Sequence, residues 1–140
     1  KIKIMKKLFF TTMALCTLGF LFSCDTREEN NISISRIKID SVKIPQEKMD
    51  LFTTQTIKTY STYASGCDRF YDYDYRIDNL NRFVTSYTYK ENNICTQVAY
   101  VGANQFNFKP VDKGTYTFKF WNGKDNAGND LWITKTIVVE

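Results

Sequence analysis

A two-residue rhythm constrains this chain more than any other feature. From Tyr71 the sequence reads Tyr-Asp-Tyr-Asp-Tyr-Arg-Ile-Asp. Side chains of a strand point alternately to opposite faces. Tyr71, Tyr73, Tyr75 and Ile77 therefore share one face, and Asp72, Asp74 and Arg76 share the other. A helix would scatter both sets, and no stretch after residue 31 keeps a 3.6-residue period. The alternation recurs in residues 53–63, in Phe83, Thr85, Tyr87 and Tyr89, and in residues 94–101. It returns in Phe106 and Phe108, in Tyr116, Phe118 and Phe120, and in Leu131, Ile133, Ile137 and Val139. Turn-forming residues punctuate it at Pro45-Gln46, Ser65-Gly66, Asp78-Asn79, Glu91-Asn92-Asn93, residues 102–105 and residues 111–114. Near the start, Ile32 and Ile34 keep one parity while Ile37 and Ile39 keep the other. That shift predicts a β-bulge near Ser35-Arg36.

Short strands at regular spacing predict an all-β fold, a single antiparallel β-sandwich of about seven to eight strands, with a barrel as the other solution. The expected core is Ile37, Ile39, Tyr73, Tyr75, Phe83, Val98, Tyr116, Phe118, Phe120, Ile133 and Ile137.

The N-terminus reads differently. Residues 1–23 hold Lys1, Lys3, Lys6 and Lys7 and no acid, and the run from Leu8 to Phe22 has no charge. This is the layout of a secretory signal, shorter than the ~20 residues of a membrane span. The run ends in Leu21-Phe22-Ser23-Cys24. That sequence resembles the lipobox of bacterial lipoproteins, and Phe22, where a small residue is usual, resembles the looser boxes of Bacteroidota. The resemblance implies cleavage before Cys24, a diacylglyceryl group on its thiol and an acylated new amino group. Several acyl chains anchor stably where one does not. The expected organisation is a cleaved signal peptide (1–23), a lipidated polar tether (24–31) and the β domain (32–140). The expected location is the cell envelope, on the outer membrane, facing periplasm or surface. The lipid anchor makes the membrane a partner.

The net charge of +4 belongs to the signal. Removing its 4 lysines from the 19 basic residues leaves 15, against 15 acidic ones. The mature chain has no excess field for a polyanion, and no basic patch interleaved with aromatics argues for nucleic acid. Of the four cysteines, Cys16 leaves with the signal and Cys24 carries lipid. Cys67 and Cys95 remain in a compartment where disulfides persist. A bridge between them closes a loop of roughly 29 residues, for which chain entropy gives about 3.5 kcal/mol. Two free thiols or a redox pair are the alternatives, although no C-x-x-C is present.

From Gly114 to Asp130 the chain reads GTYTFKFWNGKDNAGND, then runs into Ile133 and Val139. This resembles the end of bacterial immunoglobulin-like domains, in which a G-x-Y strand leads through a D-x-A-G-N hairpin to a last strand. The hairpin residues here are Asp125, Ala127, Gly128 and Asn129. The resemblance implies an immunoglobulin-like sandwich and is nearly silent about activity, because such folds host many functions. Local chemistry agrees with a turn: Gly128 tolerates positive φ, and Asp125 and Asn129 can bond the nearby backbone. No Trp stands between Cys67 and Cys95, a departure from the antibody pattern.

The chain has no His, which removes the commonest general base and metal ligand. Asp72 and Asp74, about 7 Å apart along one strand face, could serve a glycosidase as acid and base or hold Ca²⁺. Alternation alone also explains them as acids in water. The 125–130 hairpin is rich in oxygens but lacks the EF-hand register. Tyr60, Tyr63, Tyr71, Tyr87, Tyr89, Trp121 and Trp132 could form an exposed platform of the kind sugars stack on, or pack into core and cross-strand pairs. Trp132 has the best claim to exposure, being off parity with Leu131, Ile133 and Ile137.

The expectation is a non-catalytic interaction module for a glycan, a peptide or an envelope protein, with no cofactor and no metal. Its candidate contacts are Trp121, Trp132, Tyr71, Asp72 and Asp74. The alternatives are an inhibitor or accessory subunit of an envelope enzyme, and a carboxylate-dependent hydrolase.

Overall fold

Alternating apolar residues become strands where two sheets can bury one face of each. In the computed structural model, described for residues 32–91 and 94–140, the elements are β1 (Ile34–Ile37), β2 (Ser41–Lys43), β3 (Lys48–Met49), β4 (Gln55–Tyr63), β5 (Asp68–Asp78), β6 (Asn81–Lys90), β7 (Tyr100–Phe108), β8 (Gly114–Lys124) and β9 (Asp130–Val139). The expected signal peptide (1–23), Cys24, the expected tether and Asn92-Asn93 lie outside the described residues.

The protein is all-β, with its sheets packed in two layers. A six-stranded sheet runs β1-β6-β8-β9-β3, with β5 also on β6, and a three-stranded sheet runs β2-β4-β7. β5 follows one edge of β6 along its length, while β1 and β8 share the other edge. Two neighbours, β3 with β9 and β6 with β8, are parallel, which corrects the expectation of a purely antiparallel sandwich.

The core lies between the layers. Ile39, Ile57, Val84, Tyr116, Phe118, Phe120 and Ile137 are fully buried, and Phe108 nearly so. Full burial of each such side chain stabilises by about 1.5–3 kcal/mol before entropy is charged against it.

The parity shift near the start is not a bulge at Ser35-Arg36, since β1 pairs with β6 without interruption. Ile34, opposite Tyr89, is exposed on the outer face, and Ile37, opposite buried Ser86, points inward, so the two simply occupy opposite faces of one strand. The chain changes sheets only after them. Ile39 N donates to Trp121 O at 2.9 Å in one sheet, and Asp40 N donates to Tyr60 O at 2.8 Å in the other. A strand crossing between layers must turn its inward side over, and here the inward parity passes from Ile39 to Val42 and Ile44. The real bulge lies in β5, between Phe70 and Asp72. It separates Tyr71 from the face of Tyr73 and Tyr75. Phe70 packs on Tyr73 with ring centroids 4.8 Å apart, and Tyr71 turns outward, edge-on to Tyr89 at 6.3 Å.

Two further expectations fail together. Residues 94–99 form no strand, Val98 is 69% exposed, and β7 runs through the expected loop at 102–105. Gly-Ala-Asn-Gln reads as a loop by composition, but pairing with β4 fixes it as strand. Gly102 is needed there, because a Cβ would come within 2.5 Å of the Tyr63 ring. Phe83 also leaves the expected core and lies on the outer face of the six-stranded sheet, since its neighbours Arg82 and Val84 point inward.

Cys67 and Cys95 are bridged, with Cα atoms 5.4 Å apart. Cys67 lies in the β4–β5 connection and Cys95 in the β6–β7 connection, and both connections pass from one sheet to the other. The cystine thus fastens two crossovers at one end of the layers. In the β8–β9 hairpin, Asp125 Oδ1 accepts from Ala127 N at 2.9 Å and Asn129 N at 2.8 Å, and Gly128 adopts φ 87°. The Asn129 side chain, then its backbone N–H, hold the Asp125 carboxyl below the usual range.

Candidate binding cleft

Strand register brings the residues singled out from sequence onto one surface. Asp72 and Arg36 both stand opposite Tyr87, Asp74 opposite Thr85, and Trp121 opposite Trp132, all on the outer face of the six-stranded sheet with Tyr71. The rings there are already engaged. The Arg36 guanidinium lies 4.6 Å over the Trp121 ring, Trp121 Nε1 donates to Asp130 Oδ1 at 2.9 Å, and Arg36 pairs with Asp130 at 3.6 Å. Trp121 is only 7% exposed. Phe83 has Arg76 at 4.6 Å and Lys119 at 5.4 Å, and meets Trp132 edge-on at 5.7 Å. Trp132 is therefore half-buried, not the exposed ring that its parity led one to expect. Asp72 Oδ1 accepts the Tyr73 N–H at 2.8 Å.

Pockets with apolar walls lie elsewhere, along one side where the two layers part. β5 and β7 each end their sheet there. Between them Phe106 meets Tyr73 at 5.3 Å and Tyr75 at 5.5 Å, both edge-on. A pocket opens on each side of this contact. One, of about 370 Å³, is lined by Tyr63, Arg69, Phe70, Tyr100 and Gly102 with their neighbours. The other, of about 570 Å³, is lined by Tyr73, Tyr75, Ile77, Arg82, Phe106 and Phe108, with Asp72, Lys109 and Val111 also around it. In line along β7 and parted by that contact, they form an interrupted trough.

Its walls are held by specific contacts. At one end Tyr63 and Tyr100 stack 5.0 Å apart, and Tyr100 OH donates to Asp68 O at 2.6 Å. In the middle the Tyr73 hydroxyl and Thr59 Oγ1, from opposite sheets, are 2.7 Å apart. Burial pushes the Tyr73 phenol up to about 12, because a phenolate would lose its hydration there; the Thr59 hydrogen bond opposes this. Tyr75 is also raised by burial, with the Arg82 charge pulling the other way.

Arg82 is the residue that sequence reading missed. It is 7% exposed, and its Nη1 donates to Asn79 O at 2.6 Å and Asn81 O at 2.9 Å. Its guanidinium lies 4.8 Å over the Tyr116 ring. Among the described residues, no carboxylate lies within ion-pair distance of it. Alternation set Arg82 opposite Phe83, which was expected in the core, so parity as read sent this cation outward; the burial of Val84 turns Arg82 inward with it.

Apolar walls with one placed cation can grip a ligand and orient it. Among the described residues, no cluster of three or more Cys, Asp or Glu side chains could hold a metal ion. Fold and cleft together define an all-β, two-layer protein with an open-sided trough between its sheets. Protein-family models, curated proteins and solved structures contain no match to this chain.

Proposed function

We propose that the protein is a non-catalytic interaction module of the bacterial cell envelope, tethered to the outer membrane by lipid on Cys24, that binds a peptide or a segment of a partner protein. The trough carries this reading: two apolar-walled pockets in line beside a strand whose outer edge, among the described residues, is unpaired. A glycan would need exposed flat rings, and Trp121 and Phe83 are capped by cations of their own chain. The charge balance of the mature sequence gives no pull toward nucleic acid. An immunoglobulin-like arrangement belongs to the proposal. Two packed sheets and the Asp125–Gly128–Asn129 hairpin support it, while the parallel pairing of β6 and β8 is a departure from that class.

Two measurements in cells test the reading. Replacing Cys24 by Ser should move the protein from the membrane to the soluble fraction. A photo-crosslinking amino acid at Ile77 or Val111, both exposed beside the trough, should give a discrete adduct with an envelope protein or peptide. The same group at Leu131, on β9, should not. Adducts from Leu131 alone would move the interaction off the trough, and no adduct from any position would remove the reading.

A further inference from the structure

We propose that the trough receives the C-terminal segment of a partner polypeptide as an added strand on β7, with the terminal carboxylate held by Arg82. The proposal rests on the binding-module reading and names the ligand of that same cleft.

The first observation is the character of the β7 edge. Among the described residues, β7 pairs with β4 on one side and with no strand on the other. Its sequence, Tyr-Val-Gly-Ala-Asn-Gln-Phe-Asn-Phe, contains no charged residue and no proline. Edge strands in stable proteins are normally blunted by charge, proline or a bulge, because free N–H and C=O groups recruit other strands. β5, across the gap, is blunted in this way: it has a bulge at Tyr71 and carries Arg69, Asp72, Asp74 and Arg76. The two edges of one cleft thus differ, and only β7 is left ready for pairing.

The second observation is spacing. One pocket lies beside residues 102–104 of β7 and the other beside residues 106–109. Four residues of strand span roughly 13 Å, and in an extended peptide the side chains at i and i+4 point the same way at the same interval. A peptide laid along β7 sets one side chain in each pocket while its backbone pairs with the strand. Main-chain pairing supplies affinity and the pockets supply choice.

The third observation is the unpaired cation. A buried charge without a counter-ion is costly, and carbonyl contacts compensate only part of it. Arg82 spends Nη1 on two carbonyls. Its side chain also hydrogen-bonds Tyr75, and together the two line the larger pocket, where the guanidinium is the buried cation nearest an incoming ligand. A planar fork matches a carboxylate. Lys109 and Asp72 line the same pocket and offset one another, which leaves Arg82 as the net charge. The aromatic and aliphatic walls around it fit an apolar last side chain, and the chain-terminal carboxylate reaches the guanidinium.

The test uses fluorescein-labelled hexapeptides, Ser-Ile-Thr-Val-Thr-Phe, as free acid and as C-terminal amide, titrated by fluorescence polarisation against the full lipidated chain in detergent micelles. The free acid should bind at least about tenfold more tightly than the amide, the scale of a lost charge-assisted hydrogen bond. Arg82→Gln should abolish that preference. If that variant does not fold, the acid-to-amide ratio of the unaltered protein decides. A benzophenone on the peptide should give adducts within residues 100–108. Equal binding of acid and amide, with adducts on β7, would overturn the role of Arg82 and leave the binding module standing. No binding of either peptide would overturn the inference; the cellular crosslinks from Ile77 and Val111 then show whether the module reading falls with it. Adducts between two copies through β7 in the absence of peptide would also overturn it, by making the edge a self-association surface.

Discussion

Two aromatic regions of the molecule handle their cations in opposite ways. On the outer face of the six-stranded sheet, Arg36, Arg76 and Lys119 lie over Trp121 and Phe83, and Asp130 completes the set by bonding both the Trp121 indole and Arg36. Each group there finds its partner within the chain. In the trough the rings of Tyr73, Tyr75 and Phe106 meet each other, yet the gap beside them is open and Arg82 lacks a carboxylate. Aromatic surplus by itself is therefore a poor pointer to a site. What distinguishes a site is chemistry that the chain has gathered and not used.

The contrast can be broken most directly at Trp121. A ring so deeply covered belongs to the structure, so Trp121→Ala should cost about 3 to 5 kcal/mol in urea unfolding while leaving trough ligands bound. A loss of binding without a loss of stability would reverse the roles of the two regions. Next in size is the cystine that fastens the crossovers at one end of the layers. Replacing Cys67 and Cys95 by Ala together should lower stability by about 3 kcal/mol, seen as a lower midpoint in the same unfolding experiment.

The Tyr73 phenol gives a pH test confined to the trough. Its folded pKa lies above the unfolded value, so the folded chain holds the proton more tightly. The stabilisation is complete below the unfolded pKa of about 10 and is lost as pH rises toward about 12. Absorbance at the phenolate band should rise with unfolding over that window, and Tyr73→Phe should flatten the trend. Arg36→Ala should cost only about 1 kcal/mol, the worth of one half-exposed cation over a ring. Ile77→Ser should be smallest, within about 0.5 kcal/mol in stability, because Ile77 is 62% exposed. Its effect should appear instead as weaker capture of an apolar peptide.

Local patterning made much of this legible. The alternation in Tyr73, Tyr75, Asp72 and Asp74, the inward row of Tyr116, Phe118 and Phe120, and the 125–129 turn each depend on neighbours one to four residues away. The pairing of Cys67 with Cys95 followed from the reading of the N-terminus, which left those two thiols together in an oxidising compartment. The parity shift at the start misled, because Ile32 and Ile34 are exposed on the outer face and no local pattern tells which face of an edge strand is covered. Residues 102–105 were illegible for a different reason: strand formation there depends on β4, some forty residues earlier in the pairing of Ser61 with Gly102.

The candidate site was less accessible still. Phe106, Tyr73 and Arg82 come from three strands that the sequence does not announce as neighbours. Whether a ring is capped, as Trp121 is by Arg36, depends on which strand lies beside it.

Sequence alone determined that this chain forms strands, which side chains of β8 point inward, and where its hairpin turns, because those follow from backbone geometry and short-range chemistry. The tertiary structure decided that β5 and β7 face each other across a gap and that Arg82 lines it with no counter-charge among the described residues. The physical reason is that edges and clefts are what remains after every long-range strand pairing has been made, and no local pattern encodes a remainder.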